Sequence, residues 1–145
     1  MLRLPLLPPT FAASALLAAS ALLAGCAQTA AGRAQAQAAE ATTQQKLAAR
    51  LAGLTPGKPT DCIREFPTAH STAYGSRIVF EVTRNELYVN ETTGGCESME
   101  RGDYLVTVSN EGRLCRGDIG RTFEPQAHIS TGSCALGSFT PYTGR

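Results

Sequence analysis

Arg77-Ile78-Val79-Phe80-Glu81-Val82-Thr83 sets Ile78, Phe80 and Val82 on one side of an extended chain and Arg77, Glu81 and Thr83 on the other. A two-residue period of this kind belongs to a half-buried strand. Arg84-Asn85 supplies a turn, and Glu86-Leu87-Tyr88-Val89-Asn90 alternates again, so the stretch predicts a β-hairpin. Tyr104 to Ser109 (YLVTVS) predicts another strand. Asn110-Glu111-Gly112 then fits a three-residue loop with glycine in the left-handed position, and a returning strand follows at Arg113-Leu114-Cys115. Two shorter strands are expected around Cys62–Phe66 and Gly137–Tyr142. No segment beyond residue 60 carries helical periodicity. Five or six short strands in the 86 residues 60–145 predict an all-β domain, a small meander closed into a partial barrel or a thin sandwich.

Upstream of residue 60 the composition changes. Met1 to Gly25 carries one charge, Arg3, and Phe11–Gly25 reads FAASALLAASALLAG. This run is too short for an ordinary bilayer span and matches the apolar region of a signal peptide. It ends in Leu23-Ala24-Gly25-Cys26, which resembles the lipobox of bacterial lipoproteins. The resemblance implies cleavage after Gly25, acylation of Cys26 and a bilayer as the first partner. Ala27, where other lipoproteins destined for the inner membrane carry Asp, implies an outer-membrane anchor facing the periplasm. Residues 26–59 are then a lipidated, Ala/Gln-rich tether without aromatic residues, disordered or weakly helical. Leu47, Leu51 and Leu54 have helical spacing within it, and Pro56-Gly57 ends the pattern. The expected division is a signal peptide at 1–25, a tether at 26–59 and a folded domain at 60–145.

Composition excludes several classes. Charged residues are 17% of the 145, and the net charge is +1. No basic field therefore draws the chain to nucleic acid. The charge is uneven: the tether is +3, while the domain sets eight arginines against eleven acids, net −3.

Five cysteines are many for this length, and the lipobox accounts for one. Cys62, Cys96, Cys115 and Cys134 remain, an even set in an exported chain and therefore expected as disulfides. A domain of about 86 residues buries only roughly 60–65% of its unfolded surface, and cross-links make up what a small core lacks. Four cysteines allow three pairings. The expected one is nested: Cys62–Cys134 would tie the two ends, and Cys96–Cys115 would link neighbouring segments. Zinc is not expected, because no two of these cysteines stand as close together as a shared ion requires.

Three stretches together resemble an uncharacterised family of small exported proteins, often lipoproteins, from α-proteobacteria. They are Ile78-Val79-Phe80-Glu81 leading to Leu87-Tyr88-Val89-Asn90 and Cys96, then Leu114-Cys115-Arg116-Gly117-Asp118-Ile119, then Cys134-Ala135-Leu136-Gly137-Ser138-Phe139-Thr140-Pro141-Tyr142. The likeness covers residues 61–143 and implies structural cysteines but no activity. The family tends to read Cys-Pro-Gly-Leu where this chain has Cys96-Glu97-Ser98-Met99.

Few motifs point to chemistry. Arg101-Gly102-Asp103 and Arg116-Gly117-Asp118 are both RGD tripeptides, but Gly-Asp is a common turn pair, and Asp118 is expected to brace its own loop. His70 and His128 are the candidates for a hydrolase, without a nucleophile elbow or paired carboxylates beside them. Gly94-Gly95 leads to Cys96 and not to a helix, so no phosphate loop is expected. Neither a cofactor nor a metal is expected. The sequence favours a non-catalytic envelope or binding domain with an envelope protein as partner. The alternative is an enzyme inhibitor presenting Glu91–Arg101 as its inserting loop.

Overall fold

The computed structural model describes residues 29–64, 70–108 and 112–144. The signal peptide and Cys26 lie outside the described residues. Among the described residues, one helix, α1 (Ala30–Leu51), precedes ten strands: β1 (Thr55–Pro56), β2 (Cys62–Arg64), β3 (His70–Tyr74), β4 (Arg77–Thr83), β5 (Glu86–Glu91), β6 (Tyr104–Thr107), β7 (Arg113–Cys115), β8 (Ile119–Phe123), β9 (Ser130–Ala135) and β10 (Phe139–Thr143). A turn of 3-10 helix, Glu97–Arg101, separates β5 from β6. The described chain is mostly β, as its alternation predicts, and its described strands form three antiparallel sheets without a closed barrel among them. The sheets are β1-β10-β5-β4-β3, β2-β7 and β6-β8-β9.

The β4–β5 hairpin is the centre. Its register runs from Arg77 opposite Glu91 to Thr83 opposite Glu86, with a shift between Glu81 and Thr83. Val82 falls at that shift and is only half-buried, although alternation alone assigns it to the core. Ile78 and Phe80 do face the main core, with Ile63, Ala73, Met99, Leu114, Leu136 and Phe139. Phe139 enters through β10, which lies between β1 and β5 and packs its ring 5.7 Å from that of Phe80.

The opposite face of this sheet is also covered. Val79, Leu87 and Val89 form a second cluster with Leu47, and Leu51, Leu54, Tyr74 and Tyr142 pack around it. Residues from Ala38 on belong to one compact unit with the sheets, whereas the sequence reading places a tether as far as residue 59. Burial of the leucine stripe is the physical reason. Arg50 adds an ion pair to Glu81 of β4 at 2.9 Å. In the unit formed by residues 1–37, the described part is the start of α1, where Thr29 Oγ1 accepts the Gly32 N–H at 3.1 Å.

Two expectations are corrected. The strands 104–107 and 113–115 do not form a hairpin with each other: β6 pairs with β8, and β7 pairs with β2. Leu114 shares the main core with Ile63 of β2, which draws β7 there. Gly112 does adopt the left-handed conformation, at φ 66°. All four domain cysteines are bonded, but the pairing is crossed and not nested: Cys62–Cys115 and Cys96–Cys134. Cys62 and Cys115 sit directly opposite in the β2–β7 ladder, with Cα atoms 4.1 Å apart. Direct cross-strand pairing thus brings these two cysteines, and not the nested pair, together. Cys96 and Cys134 meet in the main core, where the backbones around Gly95 and Gly132 approach so closely that a side chain on either would collide with the other segment's main chain.

Candidate functional site

His70 and His128 stand in different sheets. His70 opens β3, an outer strand of the five-stranded sheet, exposed and opposite Glu81. His128 lies on the exposed β8–β9 connection with φ 55°. Its Nδ1 is 2.9 Å from the Tyr104 hydroxyl, and its ring stands edge-on to that of Tyr104. The bonded partner of His128 is therefore a phenol on a neighbouring strand. Among the described residues, no three His, Cys, Asp or Glu side chains stand together as metal ligands.

The first RGD ends in a chain of hydroxyls. Thr131 Oγ1 donates to Asp103 Oδ2 at 2.5 Å, and it also lies 2.9 Å from Thr122 Oγ1 and 3.1 Å from Ser98 Oγ. Ser98 donates to Thr122 at 2.9 Å. Each hydroxyl has one proton, and that of Thr131 goes to the carboxylate, so the order Ser98, Thr122, Thr131, Asp103 satisfies every group. Thr122 is fully buried. This chain fastens the 3-10 turn to β8 and β9. In the second RGD, Asp118 Oδ2 accepts the Cys115 N–H at 2.7 Å, the local bracing that its turn position predicts.

Glu91–Arg101 is held against the body of the protein. Cys96, Ser98 and Met99 are buried within it, and Thr93 exchanges hydrogen bonds with Ala135 of β9. Glu91, Thr93, Gly95, Glu100 and Arg101 are its exposed residues. A cleft of about 300 Å³ lies between α1 and the five-stranded sheet, lined by Leu47, Leu51, Val89 and Tyr142. The polar pair on its rim, Arg77 and Glu91, bond to each other at 3.3 Å.

The outer face of the three-stranded sheet is different. Tyr104 opposes Phe123 and Val106 opposes Arg121 across β6 and β8, while Ile119 opposes Ala135 on β9. These six side chains share the face turned away from the core, because Leu105 and Cys134 take the inner one. Val106 is 42% exposed and Ile119 52%, and Val108 and Ile129 at the margins are 80% and 63% exposed. Every large exposed hydrophobic residue among those described lies on these strands or on their connections. Tyr104 stacks on Phe123 at 5.8 Å, which makes the corner of the face rigid. Exposed apolar side chains gathered around a single arginine, Arg121, make this face the candidate contact site.

β6 is a terminal strand, and among the described residues only β8 pairs with it. Tyr104-Leu105-Val106-Thr107-Val108 contains no charge and no proline. Two other terminal strands are blunted. β1 is two residues long and ends in Pro56, and β9 is overlain by Thr93. Sequence reading names Tyr104–Ser109 as a strand but not as a site. The available signal was Val106 and Val108 following Tyr104 at two-residue spacing, with no charged residue between them.

Comparison with family models, curated proteins and solved structures gives no match.

Proposed function

We propose that the protein is a bacterial lipoprotein, acylated at Cys26 and anchored in the outer membrane facing the periplasm. Its domain acts as a non-catalytic binding module through the outer face of the three-stranded sheet. The anchor is supported by Leu23-Ala24-Gly25-Cys26 at the end of an apolar run and by the cysteine count. Four of five cysteines are in disulfides, which leaves Cys26 as the thiol available for acylation. Each methylene placed in the bilayer contributes about 0.8 kcal/mol, so several acyl chains hold the protein permanently.

The binding role rests on one observation, the gathering of Tyr104, Val106, Val108, Ile119 and Ile129 on one sheet and its margins. Their exposure to water costs free energy that a partner would recover. Growth with labelled palmitate tests the anchor: label is expected in the wild-type protein and absent from Cys26→Ala. Label retained in Cys26→Ala would contradict acylation at this residue.

A further inference from the structure

We propose that the Cys62–Cys115 disulfide is a thiol–disulfide exchange site, opened by a dithiol reductant and closed again in place, while Cys96–Cys134 stays intact. The inference goes beyond the binding role and does not depend on it. The two bridges differ in access. Cys96 and Cys134 are 2% and 3% exposed and lie in the main core. Cys62 and Cys115 are half-buried on the outer face of the β2–β7 pair, because Ile63 and Leu114 turn inward to that core. Accessible bridges of this kind are the ones that exchange, since a thiolate must reach a sulfur atom to displace it. Arg64 and Arg113 oppose each other on the same outer face, about 7 Å along the strands from the cysteines. Arg116 follows Cys115 in the chain. The neighbouring acids are engaged: Asp61 lies 4.0 Å from the Arg116 guanidinium, and Asp118 accepts the Cys115 N–H. Arginine charge beside the bridge draws an incoming thiolate and stabilises the one that leaves.

The exchange balances without any other reactant. One thiolate of the dithiol attacks a sulfur of the bridge, the S–S bond breaks, and its electron pair leaves on the other cysteine. The second thiolate of the dithiol then attacks the mixed disulfide and releases the first cysteine. The dithiol is oxidised to its disulfide, and the two protons it loses are taken up by Cys62 and Cys115, which are reduced. The opened cysteines stay in register because other contacts hold their strands. Thr60, just before β2, exchanges two backbone hydrogen bonds with Phe139 of β10, at 2.9 and 2.8 Å. After β7, Arg116 donates its N–H to the Asp61 carbonyl at 2.7 Å, and Gly117 and Asp118 both bond to the backbone of Leu136. Ile63 and Leu114 remain packed in the core between these ties. Two thiols fixed opposite each other re-form their bond with the advantage of an intramolecular reaction.

The test uses the full wild-type chain, without denaturant, and dithiothreitol as the dithiol. Samples are quenched with iodoacetamide over time and mapped by mass without further reduction. Cys62 and Cys115 are expected to be alkylated roughly tenfold or more faster than Cys96 and Cys134, giving a species with two modified cysteines and the inner bridge intact. Circular dichroism of the unquenched two-thiol species is expected to show a folded chain at room temperature, with a lower thermal midpoint. Removal of the dithiol and addition of oxidised glutathione are expected to restore Cys62–Cys115 and no other pair. Opening of both bridges together, opening of Cys96–Cys134 first, or resistance of both until the chain is denatured overturns the proposal. A two-thiol species that is unfolded, or that closes into a different pairing, overturns it as well.

Discussion

Replacing Cys96 and Cys134 together by alanine is expected to cost about 4 kcal/mol of stability, read as a loss of thermal midpoint in the oxidised protein. The bridge closes a separation of 38 residues, and the other disulfide closes 53. Loop closure ranks the two almost equally, because its logarithmic dependence turns that difference into only about 0.3 kcal/mol. Burial separates them. Cys96 and Cys134 are 2% and 3% exposed and belong to the main core, whereas Cys62 and Cys115 are half-buried in a three-residue ladder. Loss of the inner bridge therefore also removes packed sulfur from the core. In a domain of this size, each kcal/mol lowers the midpoint by about 4–8 °C, so the double variant is expected to melt at least 15 °C lower. A fall of only a few degrees would show that the 3-10 turn stays docked on β9 without the bridge.

Asn90→Leu is expected to be nearly as severe, about 3–4 kcal/mol, although it puts a larger apolar side chain into a buried position. Asn90 is fully buried on β5, opposite Phe139. Its Nδ2 donates to the Gly137 carbonyl at 2.7 Å, and its Oδ1 accepts the Gly137 N–H at 3.0 Å. The amide thus acts as a strand partner for one residue of the Leu136–Ser138 connection, which leads the chain from β9 to β10. Leucine would leave both backbone groups of Gly137 without their partner, and each unmet buried group costs about 1–3 kcal/mol. Gly137 has little room to shift for compensation, because even a Cβ added to it would collide with the Glu91 carbonyl. Urea denaturation of the variant measures the loss. A value within 1 kcal/mol of the wild type would show that water or a shifted loop replaces the amide.

The sequence displays some parts of this architecture openly and hides others. β4 and β5 are legible because their alternation is strong and their turn is local. β3, β8 and β9 read as HSTAY, IGRTF and STGSCA, stretches of small and hydroxyl-bearing residues. They are strands because of what lies next to them: Gly132 admits the Gly95 segment, and Thr122 and Thr131 bond to Ser98 and Asp103. Such requirements belong to distant pairs and leave no period in the chain. The cysteine pairing is hidden for the same reason, since it follows from β2 joining β7 and from the approach of Gly95 to β9. The helix gives half of its signal in Leu47, Leu51 and Leu54. The other half is Val79, an apolar residue between Arg77 and Glu81 on the face that alternation alone assigns to solvent. The apolar outer face of the three-stranded sheet is invisible until β6 and β8 are placed side by side.

A peptide mass map of the protein taken from its own envelope, without reduction, tests most directly the division of five cysteines into one anchor and four cross-links. Two linked peptide pairs are predicted, joining Cys62 to Cys115 and Cys96 to Cys134, together with an N-terminal peptide that begins at Cys26 and carries lipid mass. A peptide joining Cys26 to a domain cysteine, or an unprocessed N-terminus with a free Cys26 thiol, would contradict it.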